Sequence, residues 1–419
     1  MQKINPFNEA NAIPVEKTYE PYSKIGTYSY NKETASPYTK TRVILMNGTE
    51  FEANWFMHNF SRHCPNNDIR RELAMIRRRE QQQQKIISSL KPLDESILET
   101  TISYEQLAVD LTAILAKHVS DNTVKDALCF ALLEDFDHLY RFSNLLKMEQ
   151  GIDAKNIVKE YTEIMPGRPT ISEPRHPVDE IKKWICSHLA DPYTRLTVNI
   201  ITGAEQQTMN YYMNVGNIYP TPLGRKLYTE IAMIEEQHVT QYGSLIDTTC
   251  SMLECWLMHE YTECYLYYSC YTDETDENIK EIWHRLYLEE CGHLQKVAEL
   301  LYKYEGKPWQ AVFREGGDFP QLLLFNENIA FVRDVLAKTV NITANGEGYT
   351  DVCSLPSSSR FYKYNSTVTR PDSKIASHVV IDKFISKYGM DYRYETDKNP
   401  IKELADRKVD NVTVGRKCK

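Results

Sequence analysis

A glutamate faces a Glu-x-x-His motif across a predicted helical hairpin in the second half of the chain. Glu260 lies in one apolar-periodic segment and Glu290 and His293 lie in the next, with an acidic turn at 271–278 halfway between them. Helical arms of about fifteen residues, rising about 1.5 Å per residue, place Glu260 and Glu290 at the same height. Because residues i and i+3 share a helix face, Glu290 and His293 point together. A buried carboxylate must be paired, protonated or metal-bound, so this pattern predicts half of a dinuclear metal site.

The same spacing occurs twice more. Acid-x-x-His motifs number five in this sequence, where chance predicts roughly one or two. In three of the five, a glutamate lies 30 residues before the acid, with turn residues at the midpoint. The three sets are Glu105 with Asp135 and His138, Glu205 with Glu235 and His238, and Glu260 with Glu290 and His293. This regularity predicts three helical hairpins of one design.

Hydrophobic periodicity predicts the elements that must position these residues. The hairpins are predicted at 92–148, 193–247 and 249–304, with a crossover segment at 150–192 that contains short helices near 153–164 and 178–189. Together with a basic, glutamine-rich helix at 68–90, they predict an all-α bundle over 67–305. Residues 1–66 are predicted to be an irregular N-terminal extension with one strand at 41–46, and 306–419 a C-terminal helix followed by an extended arm.

Composition narrows the class of protein. A net charge of −9 and a pI near 5.8 argue against nucleic acid as a partner. The sequence has neither a run of about eighteen apolar residues nor a charged-then-apolar leader, which argues against a membrane protein and predicts a cytoplasmic location. The ten cysteines contain no C-x-x-C pair, which argues against a zinc ribbon or a rubredoxin-like site.

Alternating Glu and Glu-x-x-His on antiparallel helices resembles the ferritin-like di-metal carboxylate superfamily, which includes rubrerythrins, manganese catalases, ribonucleotide reductase small subunits and multicomponent monooxygenases. The resemblance covers roughly residues 92–305. It implies a ferritin-like bundle, two iron and/or manganese ions, and activation of O₂ or peroxide. The ligands that it implies are Glu205, Glu235, His238, Glu260, Glu290 and His293.

The sequence departs from that superfamily in two ways. It has three hairpins where the superfamily usually has two, and only a short turn connects the second hairpin with the third. The seventy residues between Asp135 and Glu205 leave room for the usual crossover, so a site that uses Glu105, Asp135 and His138 remains an alternative. Glu263 is either a further ligand or an outward charge. Tyr287 either hydrogen-bonds a ligand or only packs.

Carboxylate and imidazole donors without a thiolate suit iron or manganese, and the resemblance implies an oxidoreductase. The expected partners are O₂, peroxide or a small substrate, an electron-donor protein and a second copy of the chain. The alternative is a metal-free helical scaffold that binds a protein through its basic helix and C-terminal arm. A hydrolytic dinuclear site is a third interpretation. Iron and manganese are not distinguished, nor are the hairpins that share a site.

Overall fold

Long α-helices connected by short turns make up most of the chain. The computed structural model describes residues 3–26, 28–166, 176–369, 375–389 and 399–402. Within those ranges the β-structure is limited to one two-stranded antiparallel hairpin, which confirms the predicted all-α class. No helix in the same ranges is long and apolar enough to cross a membrane.

Four pairs of consecutive helices carry the buried acids and histidines. They are α1 (Pro37–His63) and α2 (Asn67–Ser88), α3 (Ile97–His118) and α4 (Asn122–Gln150), α6 (Pro192–Ile218) and α7 (Pro222–Gly243), and α8 (Met252–Asp273) and α9 (Glu277–Glu305). Capping boxes of Ser96 with Glu99 and of Ser251 with Glu254 start α3 and α8. A glycine with left-handed φ ends α4 and α9, at Gly151 and Gly306. These caps fix where each long helix begins or ends.

Shorter elements complete the described chain. α5 is a single turn at Lys155–Val158, and α10 spans Ile329–Thr339. β1 (Ile342–Asn345) pairs with β2 (Gly348–Asp351) in a register that places Ile342 opposite Asp351. α11 (Arg360–Val368) and α12 (Ala376–Tyr388) follow.

The chain divides into two compact units. The first comprises residues up to Glu95, Ile185–Gln207 and Asp247–Phe325. In it, α1 packs against α2 and α8, and α9 packs against the same two helices. This is a four-helix arrangement made from the first and last hairpins. The apolar face of α9, including Trp283, Leu286 and Leu294, is fully buried, and each such side chain contributes about 1.5–3 kcal/mol.

The second unit comprises Ser96–Trp184, Thr208–Ile246 and the residues from Asn326 onward. Here α4 packs against α3 and α7, and α12 packs on both α4 and α7. The last part of α6 belongs to this unit, since the ring of Tyr212 lies 5.3 Å from that of Phe142 and 5.6 Å from that of Tyr228. α6 itself is continuous through the boundary at residue 207.

The structure corrects several expectations. The strand predicted at 41–46 is wrong, because these residues lie in α1, which Ser36 caps and Pro37 opens. The N-terminal extension therefore contains a 27-residue helix. The short helices predicted near 153–164 and 178–189 reduce to α5 and a 3₁₀ turn at Pro177–Glu180. The expected single bundle over 67–305 is instead divided between the two units.

Candidate metal centres

The first unit contains a buried group of four metal-ligand side chains. Glu80 on α2, Glu260 on α8, and Glu290 and His293 on α9 each place one ligand atom within 4.8 Å of the others. Nδ1 of His293 lies 2.9 Å from Glu80 Oε1, 3.0 Å from Glu290 Oε2 and 3.7 Å from Glu260 Oε2. All four side chains are buried. Three carboxylates therefore converge on one imidazole nitrogen in the core of a helical bundle.

A second group in this unit overlaps the first through Glu80. Glu50 on α1, Glu80 and Glu263 on α8 place carboxylate oxygens within 4.8 Å of one another, and all three are buried. The hydroxyl of Tyr267 donates a hydrogen bond to Glu50. Both oxygens of Glu263 lack a hydrogen-bond partner within the described ranges. Glu263 is thus turned inward, and the interpretation of it as an outward charge is wrong.

Glu50 and Glu80 are functional candidates that the sequence analysis missed. They too are 30 residues apart, and the turn between α1 and α2 at 64–66 lies at their midpoint. Gln83 occupies the position at which the other three hairpins have histidine. Its side-chain amide donates to Glu290 Oε1 at 2.5 Å and to Glu289 Oε2 at 3.2 Å. A search for the spacing alone, without the histidine, finds this fourth hairpin.

The carboxylates of the first unit carry an excess of negative charge. Arg79 pairs with Glu289, with Nη2 2.6 Å and Nε 2.7 Å from Oε2. The ion pairs described for Glu80, Glu260 and Glu290 are with His293. Burial, together with the neighbouring carboxylates, raises the pKa of Glu50, Glu260 and Glu263, and raises that of Glu290 to about 7. Burial opposes charge on His293, but Glu290 and Glu80 raise its pKa well above its usual value.

The second unit contains a cluster with two histidines. Glu235 on α7 lies between them: its Oε1 is 3.0 Å from His138 Nδ1, and its Oε2 is 3.0 Å from His238 Nδ1. Glu105 on α3 and Asp135 on α4 extend the cluster, with Glu105 Oε2 3.9 Å from His138 Nδ1 and Asp135 Oδ1 3.4 Å from His238 Nδ1. All five side chains are buried. Glu235 therefore belongs to two groups, each with its own histidine.

Neighbouring side chains hold these candidate ligands in place. Nε2 of His238 lies 2.5 Å from Glu134 Oε2, so this ring nitrogen pairs with a carboxylate while Nδ1 faces Glu235 and Asp135. A carboxylate behind an imidazole is the usual way in which proteins fix a metal-binding histidine. The hydroxyl of Tyr212 donates to Glu105. Burial alone would raise the pKa of Glu235, but His138 and His238 lower it to about 2.

The structure separates the six ligands that the sequence predicted. Glu260, Glu290 and His293 belong to the first unit, whereas Glu235 and His238 belong to the second. Glu105, Asp135 and His138, which the sequence left as an alternative, lie with Glu235 and His238. The single six-ligand centre drawn from the second and third hairpins is therefore corrected to two clusters, because the third hairpin packs with α1 and α2.

Two predicted residues remain to be placed. Glu205 is buried on α6, in the stretch that belongs to the first unit. Tyr287 is buried on α9, where its ring lies 5.1 Å from that of Tyr268 and its hydroxyl neighbours the thiol of Cys291. Its contacts are thus aromatic and thiol contacts, with no hydrogen bond described to Glu290.

Comparison with known protein families, with curated proteins and with solved structures finds no match for this chain. What the two clusters can do is therefore inferred from their own residues.

Proposed function

We propose that this chain is a dinuclear metal oxidoreductase of ferritin-like type, with the reacting pair of iron and/or manganese ions held in the second unit. The observation that carries the proposal is the position of Glu235 between His138 and His238. A carboxylate shared by two groups, each with an imidazole, fits a pair of metal ions that Glu235, His138 and His238 would hold. When bound, such a pair supplies the redox chemistry for reducing O₂ or peroxide.

The donor set supports iron and manganese over other ions. Glu105, Asp135 and Glu235 offer carboxylate oxygens, His138 and His238 offer imidazole nitrogens, and no thiolate is among the residues grouped here. Oxygen and imidazole donors suit iron and manganese, whereas thiolates favour zinc or copper(I). Glu205, which precedes Glu235 by 30 residues, stays a predicted ligand.

The surrounding residues have roles of their own in this proposal. Glu134 accepts from His238 Nε2 and so keeps Nδ1 directed at the cluster. Tyr212 orients the Glu105 carboxylate through the hydrogen bond from its hydroxyl. The buried rings of Phe142 and Tyr228, which pack around Tyr212, exclude water from that side. A dry, fixed set of ligands is what metal-centred redox chemistry requires of a protein.

The test is metal content and turnover in variants of the second unit. Protein purified without chelators and loaded anaerobically with Fe²⁺ and Mn²⁺ is analysed for metal per chain, in wild type and in His138→Ala/His238→Ala. We expect the double variant to lose about two ions per chain and to lose peroxide- or O₂-dependent oxidation of a supplied reductant. His118→Ala, at an exposed histidine of the same unit, is the matched control and is expected to keep both.

Other results would change the interpretation. Unchanged metal content in the double variant would contradict the proposal. Metal binding with hydrolysis of a phosphate ester and no oxidation would favour the hydrolytic interpretation. Binding of a protein partner through the basic helix α2, with no metal in either sample, would favour the scaffold. The substrate, the electron donor, a second copy of the chain and a cytoplasmic location stay predictions.

A further inference from the structure

We infer that the first unit holds a second metal centre, poor in histidine, whose carboxylate-only position takes a hard divalent ion such as Mn²⁺. Its residues all lie in the first unit, so the inference does not rest on the function proposed for the second. Glu80 has the place here that Glu235 has in the second unit, since it belongs to both overlapping groups.

The two positions around Glu80 differ in their donors. One has Glu260, Glu290 and His293 beside Glu80, and the other has Glu50 and Glu263. The group of the second position contains no imidazole among the described residues. On α2, Gln83 lies where the other hairpins have histidine, and its amide N–H groups are directed at Glu289 and Glu290. An amide nitrogen that donates in this way is not a metal ligand. The donors grouped at the second position are therefore carboxylate oxygens.

Glu263 is the observation that points to a bound cation. The side chain is 1% exposed, and neither carboxylate oxygen has a hydrogen-bond partner within the described ranges. It faces Glu50 and Glu80, which are also acids. An ionised carboxylate without donors is not stable in a protein interior, so it requires a proton or a cation. A cation also relieves the repulsion from its two neighbours.

Charge and ligand hardness then select the ion. Glu50, Glu80, Glu260, Glu263 and Glu290 carry five negative charges when ionised, and two divalent ions nearly neutralise them. Oxygen-only sites suit Mn²⁺, Mg²⁺ and Ca²⁺, whereas imidazole favours iron. The position with Glu50 and Glu263 is therefore the one for a hard ion such as Mn²⁺, and the position with His293 accepts manganese or iron.

The experiment uses full-length protein that carries His138→Ala/His238→Ala, so that metal in the second unit does not contribute. After anaerobic loading with Mn²⁺, metal per chain is measured by elemental analysis and by electron paramagnetic resonance. We expect about two ions per chain. Adding Glu263→Gln should remove about one ion. Glu299→Gln, at an exposed acid on α9, should remove none.

Two further measurements separate a metal ligand from a structural residue. In chelator, Glu263→Gln should raise the melting temperature, because it removes a buried acid. With Mn²⁺ present, the same substitution should lower the melting temperature, because it removes a ligand of the bound ion. Gln83→His should raise the affinity for Fe²⁺ relative to Mn²⁺, since it adds an imidazole beside Glu290. If Glu263→Gln does not fold, Glu50→Gln takes its place.

The inference is overturned if the double variant without Glu263→Gln binds no metal, or if Glu263→Gln leaves both metal content and the sign of the Mn²⁺ effect unchanged. The result of the test of the proposed function, which concerns metal in the second unit, changes neither the metal content expected of the first unit nor the loss expected with Glu263→Gln.

Discussion

Two buried tyrosines have equivalent contacts in the two units. Tyr212 donates to Glu105 and Tyr267 donates to Glu50, in each case the first glutamate of a hairpin. In the sequence, Tyr212 and Tyr267 each follow a predicted ligand, Glu205 or Glu260, by seven residues. This spacing is two helical turns, so it repeats the same helix face. The agreement between hairpins of different local sequence indicates that the hydroxyl positions the acid.

We expect Tyr212→Phe and Tyr267→Phe each to weaken metal binding in their own unit by about 10–100-fold, because a partner that orients a ligand is lost. Metal-free protein should lose about 1–3 kcal/mol of unfolding free energy, since a buried acceptor is left without its donor. Metal competition titrations and denaturant unfolding measure the two effects. Tyr268→Phe is the control, because Tyr268 is described with ring contacts to Tyr271, Tyr287 and Phe319 but with no side-chain hydrogen bond. An equal loss in this control would contradict the positioning role.

At the scale of elements, the N-terminal segment contacts α9 directly beside the first cluster. Ile13 N–H donates to the Leu288 carbonyl at 2.9 Å, and a Cβ built on Gly292 would lie 2.0 Å from the Ile13 carbonyl oxygen. Gly292 is therefore required for the close approach of the two backbones. Without that approach, the segment before α1 would not cover the helix that carries Glu290 and His293.

Gly292→Ala is expected to destabilise the protein by about 1–3 kcal/mol through overpacking, although alanine favours helix by about 1 kcal/mol. Gly243→Ala, at the end of α7, is the matched control, because nothing lies within 4 Å of its added Cβ. That change should be neutral or stabilising. Denaturant unfolding of both variants gives the comparison, and equal effects would show that the contact with Ile13 does not limit stability.

The sequence predicted the helices around the three histidine-containing hairpins, because period and spacing are local properties of the chain. α1 was missed since its first turns are buried on every side, from Pro37 to Met46, so no single apolar stripe is visible. Glu80 was missed because the search required a histidine where Gln83 lies. The sequence could not predict which hairpins share a core, because the apolar face of α9 has the same residue pattern whichever helices cover it.

At the scale of the whole chain, the two units interleave along the sequence. The first and last hairpins form one four-helix arrangement, and α3, α4 and α7 lie in the other. The contacts between α1 and α8, and between α2 and α9, thus join residues that are far apart in sequence, and closing such loops is slow and entropically costly. Bound ions that connect α2, α8 and α9 would offset part of that cost.

The two clusters should respond to pH in opposite directions in chelated protein. Burial and neighbouring acids raise the pKa of Glu50, Glu260 and Glu263, and that of Glu290 to about 7, so the first unit binds protons more tightly when folded. Its stability is complete below the unfolded pKa, about 4.3 for glutamate, and is lost as pH rises towards and beyond 7. In the second unit, His138 and His238 outweigh burial and lower the pKa of Glu235 to about 2. Its contribution is present above about pH 4.3 and is lost as pH falls.

Amide hydrogen exchange at pH 5 and pH 8 in chelator, corrected for intrinsic rates, measures how the stability of each unit depends on pH. Peptides from α9 should exchange faster at pH 8 than at pH 5, and Mn²⁺ should restore their protection, because the cation replaces the missing protons. Peptides from α7 should show no such loss between these values, since Glu235 stays ionised throughout, and should lose protection only in more acidic buffer. Glu235→Gln should remove that acid sensitivity and leave α9 unaffected. If hydrogen exchange in α9 and α7 changes with pH in the same way, the negative charge of the buried acids in the first unit is neutralised by groups other than protons or metal ions.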